Sequence, residues 1–231
     1  MRKKIILPIL FFSILCFYSI ENCFADESRW VWVCSDSTTS TYVDKQGIVY
    51  DDRQDSAKVW TKIVTLNGTI WLKQYEINFD NKTMRELSMV DGKTEAVSTL
   101  SSAIPSFEVT PETSMEKVSD VVTDALNKPR IWNSDDSNRW KWIKSTDVET
   151  VYIMPSSITY DLEADSCSVW VAYKNINSTH LMCRRYTCFF YDRMIQPEYD
   201  SKIPVIPDSI SEAIYNAVKT YYNGPVNSDQ Y

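Results

Sequence analysis

Histidine and glycine are nearly missing from this 231-residue chain, which has one His, His180, and four Gly. A lone histidine excludes a multi-histidine metal site, and it leaves a nucleophile–histidine pair no base except His180. So small a glycine supply leaves no loop able to cradle a phosphate and little scope for a flexible lid. Basic charge is short as well, with 24 Lys and Arg against 31 Asp and Glu. The net charge of −7, with no Lys/Arg cluster beyond pairs such as Arg184-Arg185, argues against nucleic acid and anionic membrane surfaces as partners. No Cys-x-x-Cys pair and no Cys/His spacing of the zinc-binding kind occurs. Carboxylates alternate along predicted strands or sit at turns, as on a solvated face. The expectation is a non-enzyme that uses neither metal nor cofactor.

Long apolar runs are also scarce, and the one that exists is N-terminal. Arg2, Lys3 and Lys4 precede the uncharged stretch Ile5 to Ile20, and Cys23-Phe24-Ala25 follows it. This is the layout of a signal peptide over residues 1–25, with cleavage expected after Ala25. The run is shorter than the roughly 20 apolar residues of a spanning helix. Cys16 follows Leu15 and Cys23 follows Glu21-Asn22, so neither fits a lipid-attachment site. Removal of the segment moves the net charge from −7 to −9. The mature chain is expected to lack a transmembrane segment and to reside in the periplasm or at the cell surface. It retains four cysteines, Cys34, Cys167, Cys183 and Cys188, which permit three pairings.

What the chain does contain is itself, twice. "RWVWVCS" from Arg29 returns as "RWKWIKS" from Arg139, 110 residues later. The register holds without a gap, matching Tyr42 to Tyr152, Tyr50-Asp51 to Tyr160-Asp161 and Val59-Trp60 to Val169-Trp170, as far as Asn67 against Asn177. This is an internal duplication. In copy one, Lys58 to Thr65 and Ile70 to Phe79 are β-rich runs around Asn67-Gly68, a strong hairpin signal because both residues tolerate positive φ. Tyr75, Ile77 and Phe79 then face inward, and a one-residue insertion places Tyr186, Cys188 and Phe190 on the same face in copy two. Arg85 to Val90 and Lys93 to Val97 form a second hairpin about Asp91-Gly92.

A helix closes each copy. Thr113-Ser114-Met115-Glu116 and Ser209-Ile210-Ser211-Glu212 are capping boxes. Val118, Val121, Val122 and Ala125 form an apolar stripe, repeated by Ile214, Ala217, Val218 and Tyr221. The expected fold class is α+β: two tandem domains, each a small antiparallel β-sheet with one C-terminal α-helix packed on it. They span 26–128 and 138–231, joined by a linker over 129–137. The paired tryptophans read as core, since a Trp buries on the order of 200 Å² and dominates a small sheet. With Asn67-Gly68 centring its hairpin, Ala57 falls opposite the Asn78 region. The matching positions of copy two bring Cys167 near Cys188, the candidates for a cross-strand disulfide.

Each copy resembles the bacterial surface-adhesin protein E domain. Copy one supplies Trp30, Tyr42-Val43-Asp44, Ile48, Val59-Trp60, Tyr75-Glu76-Ile77, Asp91-Gly92-Lys93 and Pro111. Copy two supplies Trp140, Tyr152-Ile153, Ser157-Ile158, Val169-Trp170-Val171, Tyr186 and Pro207. The resemblance covers nearly the whole mature chain. It implies a small antiparallel sheet with a packed helix, and an adhesin-like role in binding host extracellular-matrix protein. The expectation is therefore an exported binding protein of the cell envelope with a host or envelope protein as partner. The alternative is a periplasmic accessory protein that binds a small apolar ligand or another envelope protein. The Asn-x-Ser/Thr sequons at Asn67, Asn81 and Asn177 read as turn composition.

Overall fold

The β-branched and aromatic runs of each copy pair across short polar turns, so the chain folds almost entirely as antiparallel strands. The computed structural model describes residues 29–92, 94, 97–99, 104–133, 136 and 138–222; the expected signal peptide, 1–25, lies outside them. Copy one forms β1 (Trp30–Ser35), β2 (Thr39–Asp44), β3 (Val49–Asp51), β4 (Ser56–Thr65), β5 (Ile70–Asn78), β6 (Thr83–Asp91), β7 (Val97–Thr99) and β8 (Phe107–Glu108), followed by helix α1 (Ser114–Leu126). Copy two forms β9 (Lys141–Ser145), β10 (Glu149–Ile153), a 3-10 turn (Pro155–Ser157), β11 (Thr159–Asp161), β12 (Ser166–Asn175), β13 (Leu181–Phe189), β14 (Met194–Pro197), β15 (Ile203–Pro204) and helix α2 (Ile210–Tyr222). The first sheet runs β1-β2-β4-β5-β6-β7, with β3 on β4 and β8 on β6; the second runs β15-β14-β13-β12-β10-β9, with β11 on β12. No helix among the described residues is long and apolar enough to cross a membrane.

The duplication reaches down to backbone torsions. Asp55 and Asp165 both have φ 44°, Lys82 and Arg193 have 54° and 53°, and Glu112 and Asp208 have 64° and 60°. Left-handed backbone costs an L-residue about 1–2 kcal/mol, so each matched pair marks a turn that both copies need. At the first, Tyr50 Oη donates to Asp55 at 2.7 Å and Tyr160 Oη to Asp165 at 2.9 Å. At the third, the chain turns into a helix. The Glu112 N–H donates to Glu116 Oε2 at 2.7 Å and the Asp208 N–H to Glu212 Oε2 at 2.8 Å, so the capping glutamates of both boxes reach back over the turn.

The chain divides into two compact units whose border does not follow the sequence repeat. One comprises residues up to Glu108 together with Asp124–Asn127; the other comprises Val109–Thr123 and Lys128 onward. The stretch 129–137, expected as a linker, contributes buried Ile131 and Trp132 to the second unit. The Trp132 indole N–H donates to the Val109 carbonyl at 2.7 Å, which ties this segment to the chain entering α1.

In the second unit, alternation along β12 sends Cys167, Val169 and Val171 to one face. There they join Val151, Ile153, Cys188, Ile195 and Val205 with Ile214, Tyr215 and Val218 of α2 in one buried cluster. Tyr221, expected on the helix stripe, is exposed; Tyr222 takes that place, stacked on Tyr160 and Phe190. Trp170 and Ala172 turn to the opposite face and are buried as well, and Met154, beyond β10, is fully buried and donates its N–H to the Trp170 carbonyl at 3.0 Å. The start of α1 is tied to the same unit by the buried Arg139, which pairs with Glu116 at 2.8 Å, and by the Trp140 indole N–H, which donates to Glu112 at 3.0 Å.

Candidate functional site

The second unit holds a groove of about 410 Å³ between its sheet and the first turns of α2. Tyr173 extends the inward face of β12, and β13 sets Met182, Arg184 and Tyr186 opposite Tyr173, Val171 and Val169. Ile195, Pro197 and Ile203 come from β14 and β15, while α2 adds Ile210 and Ile214. The surroundings are therefore mainly aliphatic and aromatic, with few polar groups. Tyr173 Oη donates to Tyr186 Oη at 2.6 Å, and the rings lie 6.3 Å apart. Burial, and then the bond to Tyr186, push the Tyr173 phenol well above its ordinary value, so it stays protonated across physiological pH. With Tyr173 as donor, the Tyr186 hydroxyl retains a proton to offer. Arg184 is turned to the rim, where it pairs with Asp200 and donates to the Glu198 carbonyl at 3.0 Å. Ser211 Oγ is engaged by Ser209 at 2.6 Å and by the Ile206 N–H at 3.2 Å. Glu149 of β10 adds a carboxylate to the lining, so the groove offers a largely apolar surface, that carboxylate, the Arg184 guanidinium at its rim and one hydroxyl donor.

The cysteines expected to bond, Cys167 and Cys188, are direct cross-strand neighbours and both fully buried. They are nevertheless free thiols. Their counterparts Ala57 and Ile77, also paired across strands, are apolar and fully buried; the thiols fill the same core positions as small hydrophobes. Burial pushes Cys167 up to about 11, helped by Asp165, and Cys188 up to about 12. At pH 8 the thiolate fraction is then on the order of one part in a thousand or less. Iodoacetamide at pH 8 should leave both unmodified in the folded protein and label both after denaturation; mass spectrometry reads the outcome, and rapid labelling of the folded protein would contradict it. Cys183 is also a free thiol, and burial, with Glu112 adding to it, raises it to about 12. His180 is exposed at the β12–β13 turn, where its N–H donates to Ser178 Oγ at 3.1 Å.

The paired tryptophans do not behave alike, which corrects the core reading. Trp170 and Trp132 are buried, Trp30, Trp60 and Trp140 are partly buried, and Trp32 and Trp142 are 58% and 62% exposed. Trp32 and Trp142 lie on β1 and β9, the edge strands of their sheets, which have a neighbour on one side only. Both ladders also carry a bulge nearby. Each exposed indole N–H is satisfied locally, Trp32 on Ser35 at 3.0 Å and Trp142 on Ser145 at 2.9 Å. Ser35 in turn meets Ser40 at 2.8 Å, and Ser145 donates to Thr150 at 3.3 Å. The ring is thus positioned with its apolar faces free.

No family model matches the chain, and no curated protein matches it. The functional reading rests on the geometry. Of the groove residues, Tyr186 is legible from strand alternation. Tyr173, Ile203 and Ile210 are not, because nothing local announces that β12, β15 and α2 converge.

Proposed function

We propose that this chain is an exported, non-enzymatic binding protein of the bacterial cell envelope, and that its second unit holds a small, mainly apolar ligand between sheet and helix. The groove carries this reading. Its volume of about 410 Å³ falls within the range of small-molecule sites, and such sites combine apolar walls with a few polar groups that orient the ligand, the part this reading gives to the Tyr173–Tyr186 pair. The basic start and apolar run of residues 1–25 support export, and the resemblance to the surface-adhesin protein E domain supports an envelope setting. The neutral apolar dye N-phenyl-1-naphthylamine should bind the purified protein with a fluorescence rise. Ile203→Arg, at the half-exposed rim, should weaken it at least tenfold while leaving the thermal midpoint in place. Equal binding by this variant, or no binding at all, would remove the groove reading.

A second reading is adhesin-like binding of a host extracellular-matrix or envelope protein, favoured by Trp32 and Trp142. Tryptophan is enriched among the residues that dominate protein interfaces, and two equivalent copies raise avidity where both can engage. Capture on immobilised matrix protein that falls in the Trp32→Ala/Trp142→Ala double variant, with dye binding unchanged, would favour it over the groove.

A further inference from the structure

The first unit carries a cavity of its own, of about 410 Å³, on the sheet face that bears Trp30, Trp60 and Lys62. Along β4, buried Val59 and Thr61 face the other way, which turns Trp60 and Lys62 into this cavity. Lys62 stands between Tyr42 of β2 and Leu72 of β5 in the ladder. Its ammonium lies 5.0 Å from the centroids of both the Trp30 and Tyr42 rings. Ring quadrupoles attract a cation but do not neutralise it, and among the described residues no carboxylate pairs with Lys62. The neighbouring charges cancel each other: Arg29 pairs with the fully buried Asp44, which also accepts the Gly47 N–H at 3.0 Å. Ile70, Leu72 and Val90 supply the apolar wall beside Trp60.

Copy two shows what this face becomes without the lysine. The counterpart of Lys62 is Ala172, fully buried and paired with Cys183 as Lys62 is with Leu72. The counterpart of Asp44 is Met154, also fully buried, and Arg139 turns instead to Glu116. Copy one alone combines an uncompensated ammonium, two flanking rings and an open apolar wall.

We propose that this cavity binds a small amphipathic anion, with its carboxylate on Lys62 Nζ between the Trp30 and Tyr42 rings and its hydrocarbon body along Trp60, Leu72 and Val90. The anion supplies the charge that the rings do not, and the body removes the wall from water. The proposal is independent of the groove in the second unit. Calorimetric titration with decanoate, decanol and decyltrimethylammonium tests it. Decanoate should bind at least tenfold more tightly than either of the others. Lys62→Ala, which places in copy one the side chain that copy two folds with, should lose that preference at an unchanged thermal midpoint, and Lys62→Arg should restore most of it. Ile203→Arg should leave the Lys62-dependent binding intact. Decanoate binding that survives Lys62→Ala, that is no tighter than decanol binding, or that is abolished by Ile203→Arg would overturn the proposal.

Discussion

Glu116→Ala should cost the second unit about 3–5 kcal/mol, and Arg139→Ala about as much, because each leaves a charge buried without its partner. The two side chains are 4% and 5% exposed and meet at 2.8 Å. Arg139 also donates Nε to Met154 Sδ at 3.3 Å, and Glu112 approaches it at 3.7 Å. Neither neighbour replaces Glu116: a thioether is a weak acceptor, and Glu112 is the more exposed carboxylate. Glu116 additionally caps its helix through the Glu112 N–H, so its loss removes two interactions. The double replacement Glu116→Met with Arg139→Met should be far milder, neutral or stabilising, since paired apolar side chains avoid the cost of desolvating two charges. That cost is incompletely recovered here, because the contact of Arg139 Nη1 with Glu116 Oε1 is an ion pair without hydrogen-bond geometry, and Arg139 Nη2 finds no hydrogen-bond partner among the described residues. Urea denaturation of the four proteins decides it. A loss below about 1 kcal/mol for both single variants would show that the pair is not isolated from water.

Trp170→Ala should cost about 3–5 kcal/mol, and Trp142→Ala less than about 0.5 kcal/mol, although both belong to the repeated tryptophan pattern. Trp170 is 2% exposed at the centre of β12, so its removal deletes a large apolar contact and leaves a cavity that the strand neighbours cannot fill. Trp142 is 62% exposed on edge strand β9 and its indole N–H is bonded to Ser145, so its removal exposes little new apolar surface. Chemical denaturation of the two variants checks the contrast. Equal costs would mean that the edge indole is covered in solution.

The parts of the fold that were legible are those set by neighbours in the chain. Asn67-Gly68 turns β4 into β5 with Gly68 at φ 77°, and the strands pair with Ala57 opposite Ile77, one residue from the place expected. The alternation that sends Tyr186 and Cys188 inward is a two-residue period that any strand obeys. The capping glutamates announced both helix starts, since their bonds close within four residues. Misreadings arose where a distant element had to arrive. Trp32 and Trp30 have the same local pattern, but whether a ring is covered depends on what lies beyond the sheet edge. Trp132 sits in a Pro- and Asp-flanked stretch that reads as linker, and the Val109 carbonyl 23 residues earlier anchors it. Cys167 and Cys188, placed beside each other by register, do pair across β12 and β13, as free thiols within the buried cluster.

The sequence by itself determined the doubling of the unit, the antiparallel strand pattern, the turns and the two helix starts, because torsional preference and short-range hydrogen bonds act over a few residues. Tertiary structure alone decided which tryptophans are buried, where the compact units divide and which side chains converge on the groove and on Lys62. Burial and electrostatic environment are properties of whatever packs against a residue, and here the packing partners lie tens of residues away along the chain.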